Sequence, residues 1–354
     1  MVRLEYVWLD GNDPQQLRSK FKFVTKDVID ISDVPKWNFD GSSTNQAPGD
    51  KSECQLIPAR LYTFDSSYHI VLCEVYDAES AQPHKSNKRY ALRNLVSRSG
   101  TLDMWLGFEQ EYFITKDGIP LGFKKSNLTR TLLSEGHTDV AKVDLVGPGR
   151  QGPFYCSVGG SRALGRNLVE KHVSICEILD VTLTGTNAEV APGQWEYQCF
   201  AKDPIAASDN LWMSRYLLLR SSEEFGYDID FSPKPAGKDY NGSGCHANFS
   251  SNFMREVGGR EYFDNVMSVL RERKDIHIKA YGKDNKQRLT GDHETQSIDT
   301  FSWGVADRGA SIRIPNDTVA NNWKGYAEDR RPAANCDPYN VTRLLLDALI
   351  TVEK

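Results

Sequence analysis

Several things are missing from this chain of 354 residues, and each absence excludes a class of protein. There is no Cys-x-x-Cys pair, and the seven cysteines are odd in number and scattered. That pattern excludes a disulfide framework and favours buried free thiols in a reducing, cytoplasmic setting. No window approaches ~18 consecutive apolar residues, so no membrane-spanning helix is expected. The start, Met1-Val-Arg-Leu-Glu-Tyr, lacks the apolar run of a secretory signal. There is no basic excess: Lys+Arg number 43 against Asp+Glu 48, which argues against a nucleic-acid partner. The glycine-rich stretch Asn241-Gly-Ser-Gly-Cys-His246 lacks the Gly-Lys-Ser/Thr of a P-loop. Internal repeats and low-complexity tracts are absent too.

What is present is enough apolar sequence, 39%, to bury the cores of two domains. Glu5-Tyr-Val-Trp-Leu, Phe21-Lys-Phe-Val and Tyr68 to Tyr76 read as strands, with Asp10 to Pro14 as a turn and Val34 to Thr44 as a loop. The polar stretch Ala78 to Lys88 marks a boundary between a domain of residues 1–85 and one of residues 86–354. Beyond it, helical spacing appears over Ala163 to Leu179 and Glu261 to Arg273. Further helices are expected from Asp209 (capped by Ser208 and closed at Gly226) and from Val341 (capped by Asn340). Ser297 to Trp303 and Ala310 to Pro315 read as strands. Strands and helices do not alternate regularly, so the expected class is α+β.

The chemistry-bearing signal is a group of carboxylates in apolar company. Glu109 and Glu111 are two apart in Trp105-Leu-Gly-Phe-Glu-Gln-Glu-Tyr-Phe, which puts both on one face of a strand. Glu189 and Glu196 flank Pro192-Gly193, which rules out one continuous helix but suits a strand-turn-strand. Buried like charges need protons or cations, and four hard oxygen donors suit Mg²⁺ or Mn²⁺ better than zinc. His246 adds a candidate ligand, although a hydrogen-bonded core histidine is the commoner reading of one alone. Arg308, Arg313, Arg330 and Arg331, with Arg288 in a mobile polar loop that ends in Glu294, supply guanidinium groups. Each needs an anion, either a phosphate, a substrate carboxylate or the same glutamates.

In order along the chain, these segments resemble glutamine synthetases of the short, type II class. The resemblance rests on Trp37-Asn-Phe-Asp-Gly-Ser-Ser-Thr44, Phe108-Glu-Gln-Glu-Tyr112, Gln151-Gly-Pro-Phe-Tyr-Cys156, Ala188 to Glu196, Asn241 to His246, Arg288 to Glu294, Asp307 to Arg313 and Arg331 to Pro338. It implies an N-terminal β-grasp domain, a catalytic domain with a curved antiparallel sheet flanked by helices, and ATP-dependent ligation of ammonia to L-glutamate through γ-glutamyl phosphate. By the same resemblance Glu111, Glu189 and Glu196 hold one Mg²⁺ or Mn²⁺, and Glu109, His246 and Glu328 hold another. Glu196, Asn248, Phe249, Ser250, Arg308, Arg313 and Tyr326 surround ATP. Asn241, Gly242, Arg288, Arg308 and Arg330 hold glutamate. Asp40 and Glu294 handle protons, Glu294 on a closing flap. The resemblance also implies a homodecamer of two pentameric rings, with active sites between subunits.

Three departures stand out against the family pattern. Asp292 stands where glutamine is frequent, Asp307 where asparagine is common, and Cys199 to Asp203 replaces a glycine-containing stretch. A catalytically silent scaffold would be expected to lose metal ligands, Arg308 or Glu294, and all are present. A ligase for larger amines would not call for Asp40 in its Asp-Gly-Ser-Ser setting. A guanidino kinase would predict neither the Asp40 loop nor the Glu294 flap.

Overall fold

The structure is a computed structural model that describes residues 1–126, 145–149 and 151–353. The first five strands are β1 (Val2–Leu9), β2 (Leu17–Val24), β3 (Trp37–Asp40), β4 (Glu53–Asp65) and β5 (Tyr68–Asp77). They form a sheet in the order β2-β1-β5-β4-β3, with β1–β5 parallel and the other pairs antiparallel. Alternation along β1 sends Leu4, Tyr6 and Trp8 to one face, where they pack on Phe39, Leu56 and Val75. The other face sends Val7, Tyr62, Ile70 and Leu72 into the helices that follow.

Trp37 to Asp40 was expected within a loop but is strand β3, paired with β4 from Trp37↔Leu56 to Asp40↔Glu53. The buried Phe39 ring lies 4.8 Å from Trp8, and that tertiary contact outweighs the turn-rich sequence around it. The loop proper is one 3₁₀ turn, Gly41–Thr44, capped by the Asp40 side chain.

The remaining elements begin with α1 (Lys88–Val96), which the polar sequence did not announce, then β6 (Trp105–Lys116), β7 (Ile119–Pro120), β8 (Lys124–Lys125) and β9 (Leu145–Val146). They continue with α2 (Arg166–Ile178), β10 (Leu183–Ala188), β11 (Gln194–Ala201), α3 (Pro204–Phe225), β12 (Asp228–Asp230) and β13 (Cys245–Ser250). Then come α4 (Asn252–Glu256), α5 (Arg260–Glu272), α6 (Lys274–Ala280), β14 (Trp303–Val305), β15 (Ile312–Ile314), α7 (Asn316–Ala320), β16 (Ala327–Asp329) and α8 (Pro338–Val352). The main sheet runs β10-β11-β6-β13-β16-β15-β14, with β7 and β12 also paired to β6. It is antiparallel except for β14–β15. The α+β class is as expected.

Two helices start earlier than the sequence reading placed them. α3 is capped by Asp203, whose carboxylate accepts from Ala206 N, with Pro204 at its first position. Ser208 lies inside that helix, and its hydroxyl donates to Pro204 O. α8 is capped by Asp337 rather than Asn340, again with proline next. In both, Asp-Pro supplies a cap and a residue pre-set to helical φ. Gly226 closes α3 at φ 62° as expected. Of the expected strand Ser297 to Trp303, only Trp303 is in a strand; Thr300 N is taken by a turn to Ser297 O. Among the described residues the cysteines are all free thiols, buried except Cys156. No described helix is long and apolar enough to cross a membrane.

Candidate active site

The central strand β6 organises the site. Its apolar residues Leu106 and Phe108 point into the core with Gln110, while Glu109 and Glu111 face the opposite side. On the core side, buried Arg215 donates to Gln110 Oε1 at 2.8 Å, Cys336 O at 2.8 Å and Ala334 O at 2.9 Å. This ties β6 to the segment before α8. Sheet register does the rest. Glu196 on β11 sits directly across from Glu111, and His246 on β13 directly across from Glu109. Glu328 on β16 pairs with Asn248 on β13 and with Arg313 on β15. Glu189 joins from the turn between β10 and β11, where the strand-turn-strand reading placed it. The sheet thus gathers two triads, Glu111–Glu189–Glu196 and Glu109–His246–Glu328. In each, the donor atoms lie within 4.8 Å of one another.

Carboxylates opposed at this range destabilise a sheet unless a proton or cation intervenes. Burial, reinforced by Glu111, Glu109 and Glu189, pushes the Glu196 carboxyl up to about 9. Burial and Glu111 push Glu189 up to about 7. The second triad has the opposite character. Burial resists ionisation of Glu328, but the His246 hydrogen bond and the charges of Arg330 and Arg313 overcome it and hold the carboxyl down to about 2. Burial and Arg330 work against a charge on His246, while hydrogen bonds to Glu109 and Glu328 favour one. Burial thus favours protonated carboxyls in the first triad; in the second, His246 Nδ1 faces both carboxylates at 3.3 Å. Both donor sets fit a hard divalent ion that displaces those protons.

The triads line a cleft of about 210 Å³. Asn241, Gly242, Arg288, Glu294, Arg308, Arg313 and Arg330 line it as well. Arg313 and Arg330 both pair with Glu328, so the reading in which arginines meet the same glutamates describes these two. Arg330 also donates to Arg308 O at 3.1 Å and Glu294 O at 3.4 Å. Glu294 and Arg308 are more than half exposed and 3.9 Å apart, and Glu294 adopts φ 59°. Arg288, read from sequence as part of a mobile polar loop, is buried and donates to His246 Nε2 at 2.9 Å. It also explains a glycine. A Cβ on Gly244 would lie 2.4 Å from Arg288 Nη2, so the close approach is to a guanidinium rather than to a ligand. On β16, Asp329 takes two hydrogen bonds from the Arg331 guanidinium, one from the Arg331 backbone N–H and one from Tyr281, fixing the strand that carries Glu328.

A second cavity, about 440 Å³ and mostly apolar, adjoins the first and shares Glu109 with it. Asn248, Phe249, Ser250 and Tyr326 line it, with Trp105, Phe200 and Arg255. Asn248 donates to Glu109 at 2.7 Å, linking the two spaces. Asp40 is elsewhere. It lies exposed at the edge of the first sheet, bonded to the Ser42 and Ser43 hydroxyls, which hold its carboxyl below the ordinary range. It does not line the cleft of its own chain. Asp307 turns its carboxylate into its own loop, accepting from Gly309 N at 2.8 Å, a role asparagine also fills.

The sequence reading missed Tyr155, His293 and Thr295, which line the cleft. It also missed Asn187 and Gln198, which donate to Glu189 and Glu196. Gln198 was findable, since it lies two residues past Glu196 on the same strand face.

Residues 84–261 match the family described as glutamine synthetase, catalytic domain. The chain is 44% identical to a glutamine synthetase of Bradyrhizobium diazoefficiens, over 99% of this chain and 96% of that one. The chain belongs to the glutamine synthetase family. Similar likeness extends to a glutamine synthetase of the fungus Suillus bovinus, at 42% identity over 99% of this chain and 93% of the relative. A chloroplastic one of Zea mays is 43% identical over 99% and 79%. The fold matches a Plasmodium falciparum glutamine synthetase structure with TM-score 0.75 at 15% identity, over 99% of this chain and 72% of that one. Resemblance to the short, type II class therefore holds. The activity is that of a glutamate–ammonia ligase, which uses ATP and divalent metal to join ammonia to L-glutamate through γ-glutamyl phosphate.

Proposed function

We propose that the two triads are the metal sites of this ligase. Glu111, Glu189 and Glu196 would hold one Mg²⁺ or Mn²⁺, and Glu109, His246 and Glu328 the other. The observation that carries this is the meeting of both triads, within 4.8 Å each, in one cleft that arginines also line. Bound there, divalent metal supplies Lewis-acid neutralisation of the transferring phosphoryl group.

The chain's own residues would divide the remaining work. The apolar second cavity takes the nucleotide, with Asn248, Phe249, Ser250 and Tyr326 along it, and sends the phosphates past Glu196 towards Arg308 and Arg313. Asn241, Gly242, Arg288 and Arg330 hold the amino-acid end of glutamate, and Arg308 reaches both substrates. The glutamate γ-carboxylate oxygen attacks the γ-phosphorus of ATP as the bond to ADP breaks. Ammonia then attacks the acyl carbon and phosphate leaves. Asp40 takes a proton from ammonium, making it nucleophilic. Glu294 closes over the cleft, keeps water from the acyl phosphate and accepts a proton from the adding amine.

Within one chain Asp40 stands apart from the cleft, which supports its service to a neighbouring subunit. We read the assembly as a homodecamer of two pentameric rings acting in the cytoplasm. We take residues 1–85 as the β-grasp domain and 86–354 as the catalytic domain. The deciding experiment is phosphate release from ATP with Mg²⁺ and glutamate, with and without ammonium and across a panel of larger amines. Ammonium-dependent release matched by glutamine supports the assignment; turnover only with a larger amine defeats it.

A further inference from the structure

A cavity of about 130 Å³ lies where the β1–β2 turn meets the catalytic sheet's helices, and none of its lining residues lines the catalytic cleft. The β1–β2 turn contributes Asp13 and Gln15, α1 contributes Lys88, and α3 contributes Trp212. The end of α6 and the turn after it supply Lys279 and Lys283, and the entry to α8 supplies Asn335 and Asp337. Its volume is the room of roughly four waters at ~30 Å³ each, which suits a ligand of five or six heavy atoms.

The polar groups are of two kinds. Trp212 is 5% exposed, and its indole Nε1 has no acceptor among the described residues. With Lys279 it asks for a negatively charged acceptor, while Lys283 donates to Asp13 O at 3.5 Å. Gln15 is 8% exposed, and its Oε1 has no donor among the described residues; the same holds for Asn335 Oδ1. With Asp13 these ask for a donor. Asp337 already faces Lys88 across 3.5 Å. A simple anion would meet the first group and leave the amide oxygens to water. A simple cation would do the reverse. A molecule with a carboxylate and an ammonium two or three atoms apart satisfies both.

We propose that this cavity is a binding site for a small amino-acid-like zwitterion, separate from the glutamate clamp. The carboxylate lies towards Lys279 and Trp212, and the ammonium towards Gln15 and Asn335. The placement gives such a ligand a route to the chemistry. Asn335 Nδ2 donates to Lys283 O at 3.1 Å, and the chain runs from Lys283 through a short turn at Asn285–Gln287 into Arg288, on which His246 rests.

The test is calorimetric titration of glycine, as the smallest such zwitterion, into the assembled enzyme with saturating glutamate occupying the catalytic clamp. Acetate and methylammonium serve as the two half-ligands. Glycine is expected to bind despite the glutamate, with each half-ligand at least about tenfold weaker. Trp212→Phe and Lys279→Met should each weaken glycine by about tenfold or more, and Lys279→Met should retain wild-type synthetase activity. Lys279 is exposed, so its variant decides the matter if the Trp212 variant misfolds. Absence of glutamate-independent glycine binding, acetate binding as tightly as glycine, or undiminished glycine binding by Lys279→Met would each overturn the proposal.

Discussion

Filling the metal sites should drive protons out of the protein, and the structure gives the number. At pH 7 a carboxyl raised to about 9 is protonated and one raised to about 7 is half protonated. Glu196 therefore gives up about one proton and Glu189 about half of one when a cation takes their oxygens. His246 adds none, because its Nε2 accepts from Arg288 and the ring is already neutral. Glu328, held down to about 2, yields none. Complete loading should thus release about one to two protons per chain at pH 7, and fewer than about half of one near pH 10. The perturbation is chelator stripping followed by Mg²⁺ titration. The assay is calorimetry in two buffers of different ionisation enthalpy, whose difference in heat counts the protons. Release of less than about half a proton at pH 7, or a count that does not fall as pH rises, would refute the assignment of these triads as metal sites.

Four further outcomes are expected. In the stripped protein, Glu196 and Glu189 bind protons when folded that they release when unfolded, between the ordinary value of 4.5 and about 9 and 7. Their contribution to metal-free stability therefore falls as pH rises through that window, and Mg²⁺ should raise Tm more at pH 8.5 than at pH 6; an equal or opposite effect in thermal melts would contradict it. Glu294→Ala should fold normally but hydrolyse ATP without matching glutamine, as read by parallel phosphate and glutamine assays; tight coupling would remove the flap role. Asp40→Ala should raise the ammonium requirement about a hundredfold or more, the scale of one lost general base. Hybrid oligomers of Asp40→Ala and Glu328→Ala subunits should regain activity, because a site between subunits can take Asp40 from one chain and Glu328 from another. Hybrids as inactive as the parents would place Asp40 outside the shared site.

How far the sequence could be read differs by the range of the interaction involved. Glu109 and Glu111 were legible together because side chains alternate along a strand, and Gly226 because a helix end needs a left-handed residue. Both are local rules. The starts of α3 and α8 were missed although Asp203-Pro204 and Asp337-Pro338 are local signals too; apolar periodicity was followed where the cap-proline pair should have been. β3 was illegible for another reason. Only the packing of Phe39 on Trp8 and pairing with β4 make it a strand, and no window of residues around it contains either.

The triads themselves lie at the far end of that scale. The residue types were legible, but their grouping follows from cross-strand register: Glu196 opposite Glu111, and His246 opposite Glu109. A slip of one residue in β11 or β13 would turn these side chains into the core and put Tyr197 or Ala247 in their place. That register is held from the other face of β6. There Phe108, Tyr112, Tyr197 and Ala247 pack in the core, and Arg215 bonds Gln110, the residue between the two glutamates. The like charges of the cleft oppose the same register that the core imposes, a conflict that protons or a bound cation would relieve. The apolar alternation that makes these segments strands is therefore also what turns the carboxylates to one side, and the core's hold on register sets the geometry of both triads.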